Sequence, residues 1–507
     1  MGVMFNFARS AGVLLHVSSL PAKYGIGTFG RSAFEFVDFL KRCGFSYWQV
    51  LPLGPTGFGD SPYQSFSSFA GNPYFIDLEL LVREKLLRKK EITAVDFGAT
   101  DNQCDYGLLY RNRTKILRLA FERFKTKQDV SFCEKYLRET FGGLYPQLEA
   151  YFLFCALKND RHRDWYDEEP AVKFRDATAI AELQKTFSEE INFQKFVQYL
   201  FFTQYFALKR YANENGVCII GDIPFYSAYN SCDCWTNPDA FSLDENRAVQ
   251  FVGGCPPDAF SDDGQYWGMP TYNWDALRQS GYAYWIQRLD FNFMLFDAVR
   301  LDHFRGFEAF WKINAREKTA RNGVWEKGGG ADFFAALKNH RASLPIIVED
   351  LGVITDEVRN LQRFCNVPGM KVLQFAFDDA GRSPYLPHNY ADSFSVVYTG
   401  THDNATSVGW FADQDSSAVA YAKKYLDAAG VKPLAEKLVR LAFSAISFLA
   451  IIPAQDLLQL DNFARMNTPA TMGNWVWRLT RKNFTALQKR EAAVRDLLKL
   501  YNRFGNR

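Results

Sequence analysis

Eight short apolar runs, spread along 507 residues, constrain this chain more than any other feature. They fall at residues 12–17, 47–51, 217–220, 295–301, 346–349, 372–375, 395–398 and 448–452. Each is read as a candidate strand. An amphipathic stretch at 32–43 separates the first two, and strand–helix–strand spacing favours parallel pairing. Eight strands is the number an α/β barrel needs, and a barrel takes roughly 250 residues, so about half of the chain is left for insertions. The predicted fold is a (β/α)8 TIM barrel with largely helical insertions between its strands. Residues 1–77 are read as barrel strands one and two with an aromatic loop at 54–72. Residues 78–215 carry helical spacing, strongest at 110–125 and 193–212, and are read as a helical insertion. Strand three follows in 216–223, then a loop-rich subdomain at 224–285, then the rest of the barrel in 286–507.

Three of the late runs stop at a carboxylate. They are FDAVRLDHFRGFEAFW, PIIVEDLGVI and SVVYTGTHDNAT, and the acids are Asp302, Glu349 and Asp403. A carboxylate at the carboxyl end of a barrel strand reads as catalytic rather than structural. Two carboxylates facing each other across a glycosidic bond are the machinery of sugar transfer. Residues two apart on a strand share a face, so Arg300 lies one step below Asp302 and offers a counter-charge to an ionised nucleophile. Glu349 follows three apolar residues, which penalise its charged form and suit a general acid/base. Asp350 points to the opposite face and is expected to cap or brace the chain beyond it. Asp403, with His402 beside it, is expected to hold sugar hydroxyls rather than to move protons. Spacing alone supports a retaining glycosidase-type barrel, hydrolase or transferase.

Composition excludes several other classes. Net charge is +2, so neither nucleic acid nor an anionic membrane is an expected partner. The longest apolar run, 441–452, is too short to span a bilayer and stops at Pro453. The nine cysteines are irregularly spaced and MGVMFNFARS does not read as a secretory leader, so a reducing cytoplasm with free thiols is expected. Cys232 and Cys234 lack further ligands at metal spacing, as do the six histidines, so no metal and no cofactor is expected. Gly25-Ile26-Gly27-Thr28-Phe29-Gly30 satisfies a dinucleotide pattern, but no acid follows at the end of strand two, where Trp48 to Pro52 stand. Aromatic residues make up 16% of the chain, a supply of flat rings on which pyranose C–H faces can pack.

Longer strings carry a resemblance. RSAGVLLHVSSLPAKYGIG, LPLGPTGFGDSPYQSFSSFAGNPY, GDIPFYSAYNSCDCWTNPDAF, CPPDAFSDDGQYWGMPTYNW, the three acid motifs and IIPAQDLLQLDNFARMNTPATMGNWVWR run over nearly the whole chain. They resemble the 4-α-glucanotransferases of glycoside hydrolase family 77. The resemblance implies a barrel of the α-amylase type without a C-terminal β-domain. It implies transfer of an α-1,4-glucan segment from a maltooligosaccharide or glucan to the 4-hydroxyl of another glucan or of glucose. By motif position Asp302 is the nucleophile, Glu349 the acid/base and Asp403 the third acid. Tyr63, Asp222, Arg300 and His402 are implied donor-sugar contacts, and Asp60, Trp267, Asp378 and Asn467 further subsite residues. Residues 253–267 resemble a lid over bound glucan. Phe58 stands where many members carry Tyr, in the loop that the resemblance gives to a second glucan site.

Overall fold

The computed structural model describes residues 8–505 apart from 58, 99, 258–261, 380 and 414–415. Twelve strands are present among them. They are β1 (Ser10–Leu14), β2 (Tyr47–Gln49), β3 (Cys218–Ile223), β4 (Phe251–Cys255), β5 (Gln265–Pro270) and β6 (Ala298–Leu301). After these come β7 (Ala309–Asn314), β8 (Val324–Lys327), β9 (Ile346–Val348), β10 (Gly369–Val372), β11 (Ser395–Tyr398) and β12 (Leu449–Pro453). Eight of them form one parallel sheet in the order β10-β11-β12-β1-β2-β3-β6-β9. The two ends of that order meet: Val348 N–H donates to Pro368 O at 2.9 Å, and Met370 N–H to Asp350 Oδ1 at 2.7 Å. The sheet is thus a barrel, with the eight strands where the apolar runs predicted them. Asp350 braces β10, as expected of a carboxylate pointing away from the cleft.

Several boundaries differ, for local reasons. β10 begins three residues before the run at 372–375, whose Leu373–Phe375 forms a 3-10 turn. Pro368-Gly369 reads as a turn in sequence, yet Gly369 belongs to the strand because Asp350 packs on it: a Cβ there would lie 2.1 Å from Asp350 Oδ2. β1 ends at Leu14, and Val17–Ser19 is already a 3-10 turn on the barrel rim. Leu295 closes the helix Ala283–Leu295 instead of opening β6, since Phe296 N–H caps it on Asn292 O.

The larger correction concerns residues 224–327. Where loops were expected, β5-β4-β7-β8 form a four-stranded antiparallel sheet, drawing two strands from beyond residue 285. Val252, Ile313 and Ala320 make a small core of its own. On this sheet Gly253 lies against Tyr226, whose Cζ would be 2.2 Å from an added Cβ.

Between β2 and β3 the chain is helical, with Tyr106–Lys125, Ser131–Phe141, Tyr145–Arg161 and Ser188–Glu214 as the main elements. The last packs on the barrel: Phe201 meets Phe29 edge-on at 5.1 Å and Tyr205 OH donates to Leu295 O at 2.8 Å. Its Gln198 accepts from Gly71 N–H at 2.8 Å and donates to Gly71 O at 2.9 Å, fixing the end of the 54–72 loop. The glycines of the dinucleotide-like string serve packing: a Cβ on Gly27 would lie 1.9 Å from Val17 O. Cys232 and Cys234 are buried in the short helix Cys232–Thr236, where Cys234 Sγ donates to Ala228 O. Among the described residues no strand follows β12, and no helix is long and apolar enough to cross a membrane.

Candidate active site

The carboxyl ends of β3, β6, β9 and β11 open on one cleft. β3 and β6 pair with Asp222 directly opposite Arg300. That register lets one guanidinium nitrogen, Arg300 Nη1, donate to both carboxylate oxygens of Asp222 and to Asp302 Oδ1, each at 2.9 Å. Tyr63 OH donates to Asp222 Oδ2 at 2.9 Å. Burial works against charge on Arg300, but Asp222 and Asp302 overcome it and hold the guanidinium well above its ordinary value. Burial pushes the Asp222 carboxyl up, against Arg300 and Tyr63, which hold it down. Asp302 itself stands at the cleft surface, with 28% of its side chain exposed.

β6 and β9 are neighbours in register Leu301↔Val348, so the next residues along, Asp302 and Glu349, emerge side by side on strands about 4.8 Å apart. Glu349 N–H donates to Leu301 O at 2.9 Å and keeps that register past the end of the strands. Its carboxyl is gripped by two backbone amides, His303 N–H on Oε2 and Leu351 N–H on Oε1, both 2.8 Å. His303 reaches Glu349 from a left-handed backbone, φ +48. Burial pushes the Glu349 acid up to about 8, Arg300 opposing and the nearby charge of Asp302 adding to it. The environment that three apolar neighbours suggested is therefore present.

β11 delivers His402 and Asp403. Asn467 Nδ2 donates to Asp403 Oδ1 at 2.6 Å, Arg465 Nη2 to Asp403 O at 2.7 Å, and His402 Nε2 lies 3.3 Å from Asp403 Oδ2. The His402 ring stacks on Tyr63, 5.1 Å between centroids at 10°. Burial lowers the His402 pKa, with Asp403 opposing and Arg300 adding, which favours the neutral ring. Trp267, on β5, meets the His303 ring edge-on at 5.0 Å. One face of the antiparallel sheet therefore closes one side of the cleft.

The structure thus brings together Asp302, Glu349, Asp403, Asp222, Arg300, Tyr63, His402, Asn467 and, through His303, Trp267. Asp60 stands on the aromatic loop with φ +60, half-buried, and burial raises its pKa to about 6. Asp378 is exposed beyond the turn Leu373–Phe375. Phe58 lies outside the described residues. Three neighbours escaped sequence reasoning as site residues. His303 supplies an amide to Glu349. Trp475 packs on both Tyr63 and His402, at 5.8 and 5.9 Å. His16 lies under His402. Only the Gly-Asn-Trp-Val-Trp string hinted at Trp475, since its place depends on a left-handed φ of +67.

The family model described as 4-alpha-glucanotransferase matches residues 15–484. The 4-alpha-glucanotransferase of Streptococcus pneumoniae is 44% identical over 501 residues, covering 98% of this chain and 97% of the relative. That of Thermus thermophilus is 45% identical over 483 residues, covering 93% and 95%. Among solved structures, an amylomaltase from Streptococcus agalactiae in complex with acarbose superposes with a TM-score of 0.94 at 38% identity, covering 98% of this chain and all of the other. With a family model spanning most of its length and relatives matched almost end to end, the chain belongs to the 4-alpha-glucanotransferases of glycoside hydrolase family 77.

Proposed function

We propose that this 4-alpha-glucanotransferase works by two displacements at Asp302 and retains configuration. An Asp302 carboxylate oxygen attacks the anomeric carbon of a donor α-1,4-glucan while Glu349 gives its proton to the departing 4-oxygen. The acceptor 4-hydroxyl, of a maltooligosaccharide, a longer glucan or glucose, then attacks the glycosyl ester. Glu349, now a carboxylate, takes that hydroxyl's proton, and Asp302 leaves as a carboxylate. Asp403, His402, Asn467 and the Asp222–Tyr63 pair hold the hydroxyls of the donor sugar, and Asp60, Trp267 and Asp378 belong to flanking subsites. The nine cysteines are free and mostly buried, which supports a reducing compartment.

The observation that carries this reading is the neighbouring register of Asp302 and Glu349. Retaining enzymes need carboxyls about 5–5.5 Å apart, close to the spacing of adjacent strands, whereas inverting ones leave room for a water. Two carboxyls so close but differently housed divide the roles: Arg300 bonds Asp302, and burial keeps Glu349 protonated.

The simplest test is incubation with maltotriose. Transfer gives free glucose and a ladder of longer oligosaccharides; shortening products alone would mean an α-glucan hydrolase. The Glu349→Gln variant should lose transfer by at least about a thousandfold on unactivated glucans, a loss within the range for a positioned general acid, and still bind maltooligosaccharides. Substantial residual activity there refutes the assignment.

A further inference from the structure

A small cavity of about 20 Å³ lies between His402 and the first strand of the barrel. His16, Ser19, Thr401, His402 and Gln455 give it polar walls among apolar side chains. A space of this size with several polar partners holds one water. His16, just past β1, is buried and held edge-on by Phe75 at 5.3 Å. Leu51 N–H donates to its Nδ1 at 3.2 Å. A neutral imidazole that accepts at Nδ1 carries its proton on Nε2. Burial, helped by the neighbouring His402, lowers the His16 pKa to about 3, so the ring is neutral at working pH. On His402, Nε2 is the atom beside Asp403, which leaves Nδ1 on the other edge of the ring.

We propose that His16 is a positioning residue for glucan transfer: its Nε2–H donates to one water in this cavity, and that water donates to His402 Nδ1. His402 then keeps its own proton on Nε2, facing Asp403 Oδ2 at 3.3 Å, where a bound sugar hydroxyl can share it. Donation runs one way, from the Leu51 amide through His16 and the water to His402. Without it His402 could place its proton on Nδ1 and set a bare Nε2 lone pair against Asp403 and the sugar. The inference rests on the reading of His402 as a hydroxyl donor, whereas the tautomer it predicts can be measured without any substrate.

The test is long-range nitrogen–proton NMR of the full-length protein labelled at its six histidines, assigned by substitution. His16 and His402 should both appear as Nε2–H tautomers in the unliganded wild-type protein. In His16→Phe the His402 signals should move to a mixture of tautomers. On maltotriose kcat should fall about tenfold, the weight of one hydrogen bond, with KM changed less than kcat. His16→Gln, whose carbonyl can accept from Leu51 and whose amide can donate into the cavity, should recover most of kcat. An Nδ1–H tautomer at wild-type His402 overturns the proposal, and that measurement stands even if His16→Phe does not fold. Unmoved His402 signals in His16→Phe, or no recovery in His16→Gln, overturn it equally. If the tautomers are as stated but His402→Ala keeps full transfer, the fault lies in the role given to His402, and the positioning role falls with it.

Discussion

One guanidinium nitrogen serving three carboxylate oxygens explains how the buried Asp222 and the partly exposed Asp302 can share so small a space. Burial, with the charge of Asp302 adding and Arg300 opposing, leaves Glu349 protonated, and this has a measurable sign. In the unfolded chain a glutamate titrates near about 4.3, while in the fold Glu349 is pushed up to about 8. The protonated acid is therefore the form the fold prefers, and its contribution is complete below about pH 4 and lost as pH rises through about 8. Glu349→Gln carries a neutral group at every pH. Its melting temperature relative to wild type should rise between pH 5 and pH 8 and then level off, as read by thermal unfolding in a buffer series. A difference independent of pH would contradict the assignment. At this scale much was legible. A carboxylate after an apolar run, and an arginine two positions before another, predicted the environments of Glu349 and Asp302. What could not be read was backbone: the left-handed φ of His303, Asp60 and Trp475, which aims an amide or a ring, leaves no trace in residue type.

Among the elements, the barrel strands were legible because burial on both faces leaves short, mostly apolar runs. The antiparallel sheet was not. Gly253-Gly254 reads as a turn, yet these glycines lie mid-strand because Tyr226 and Gln265 approach too closely for any side chain. β8 is an edge of this sheet and β7 is paired on both sides, but β7 comes so soon after Asp302 that its residues merge with that motif in sequence. The helix Ser188–Glu214 was legible from its spacing, but not its Gln198, which pairs both backbone groups of Gly71. That side chain is fully buried, so Gln198→Ala leaves two buried groups unpaired and should cost about 2–5 kcal/mol in denaturant unfolding. Because the loop it anchors carries Tyr63, KM for maltotriose should rise several-fold even where the protein is still folded. Unchanged stability and KM would show that the loop is held by other contacts.

Over the whole molecule the barrel is unevenly stitched. Seven neighbouring pairs of strands share registers of three to five residues. The eighth junction, between β9 and β10, shows among the described residues one backbone bond from Val348 to Pro368 and one from Met370 to the Asp350 side chain. Local opening follows the weakest pairing, so the Val348 and Met370 amides should exchange hydrogen faster than those of β1 under native conditions. Equal protection at both places would contradict this. Glu349 is the residue directly above that junction. Heating should therefore silence turnover while circular dichroism still reports an intact barrel. A stock judged by its spectrum alone would be thought good after the Glu349 carboxyl had already drifted out of place.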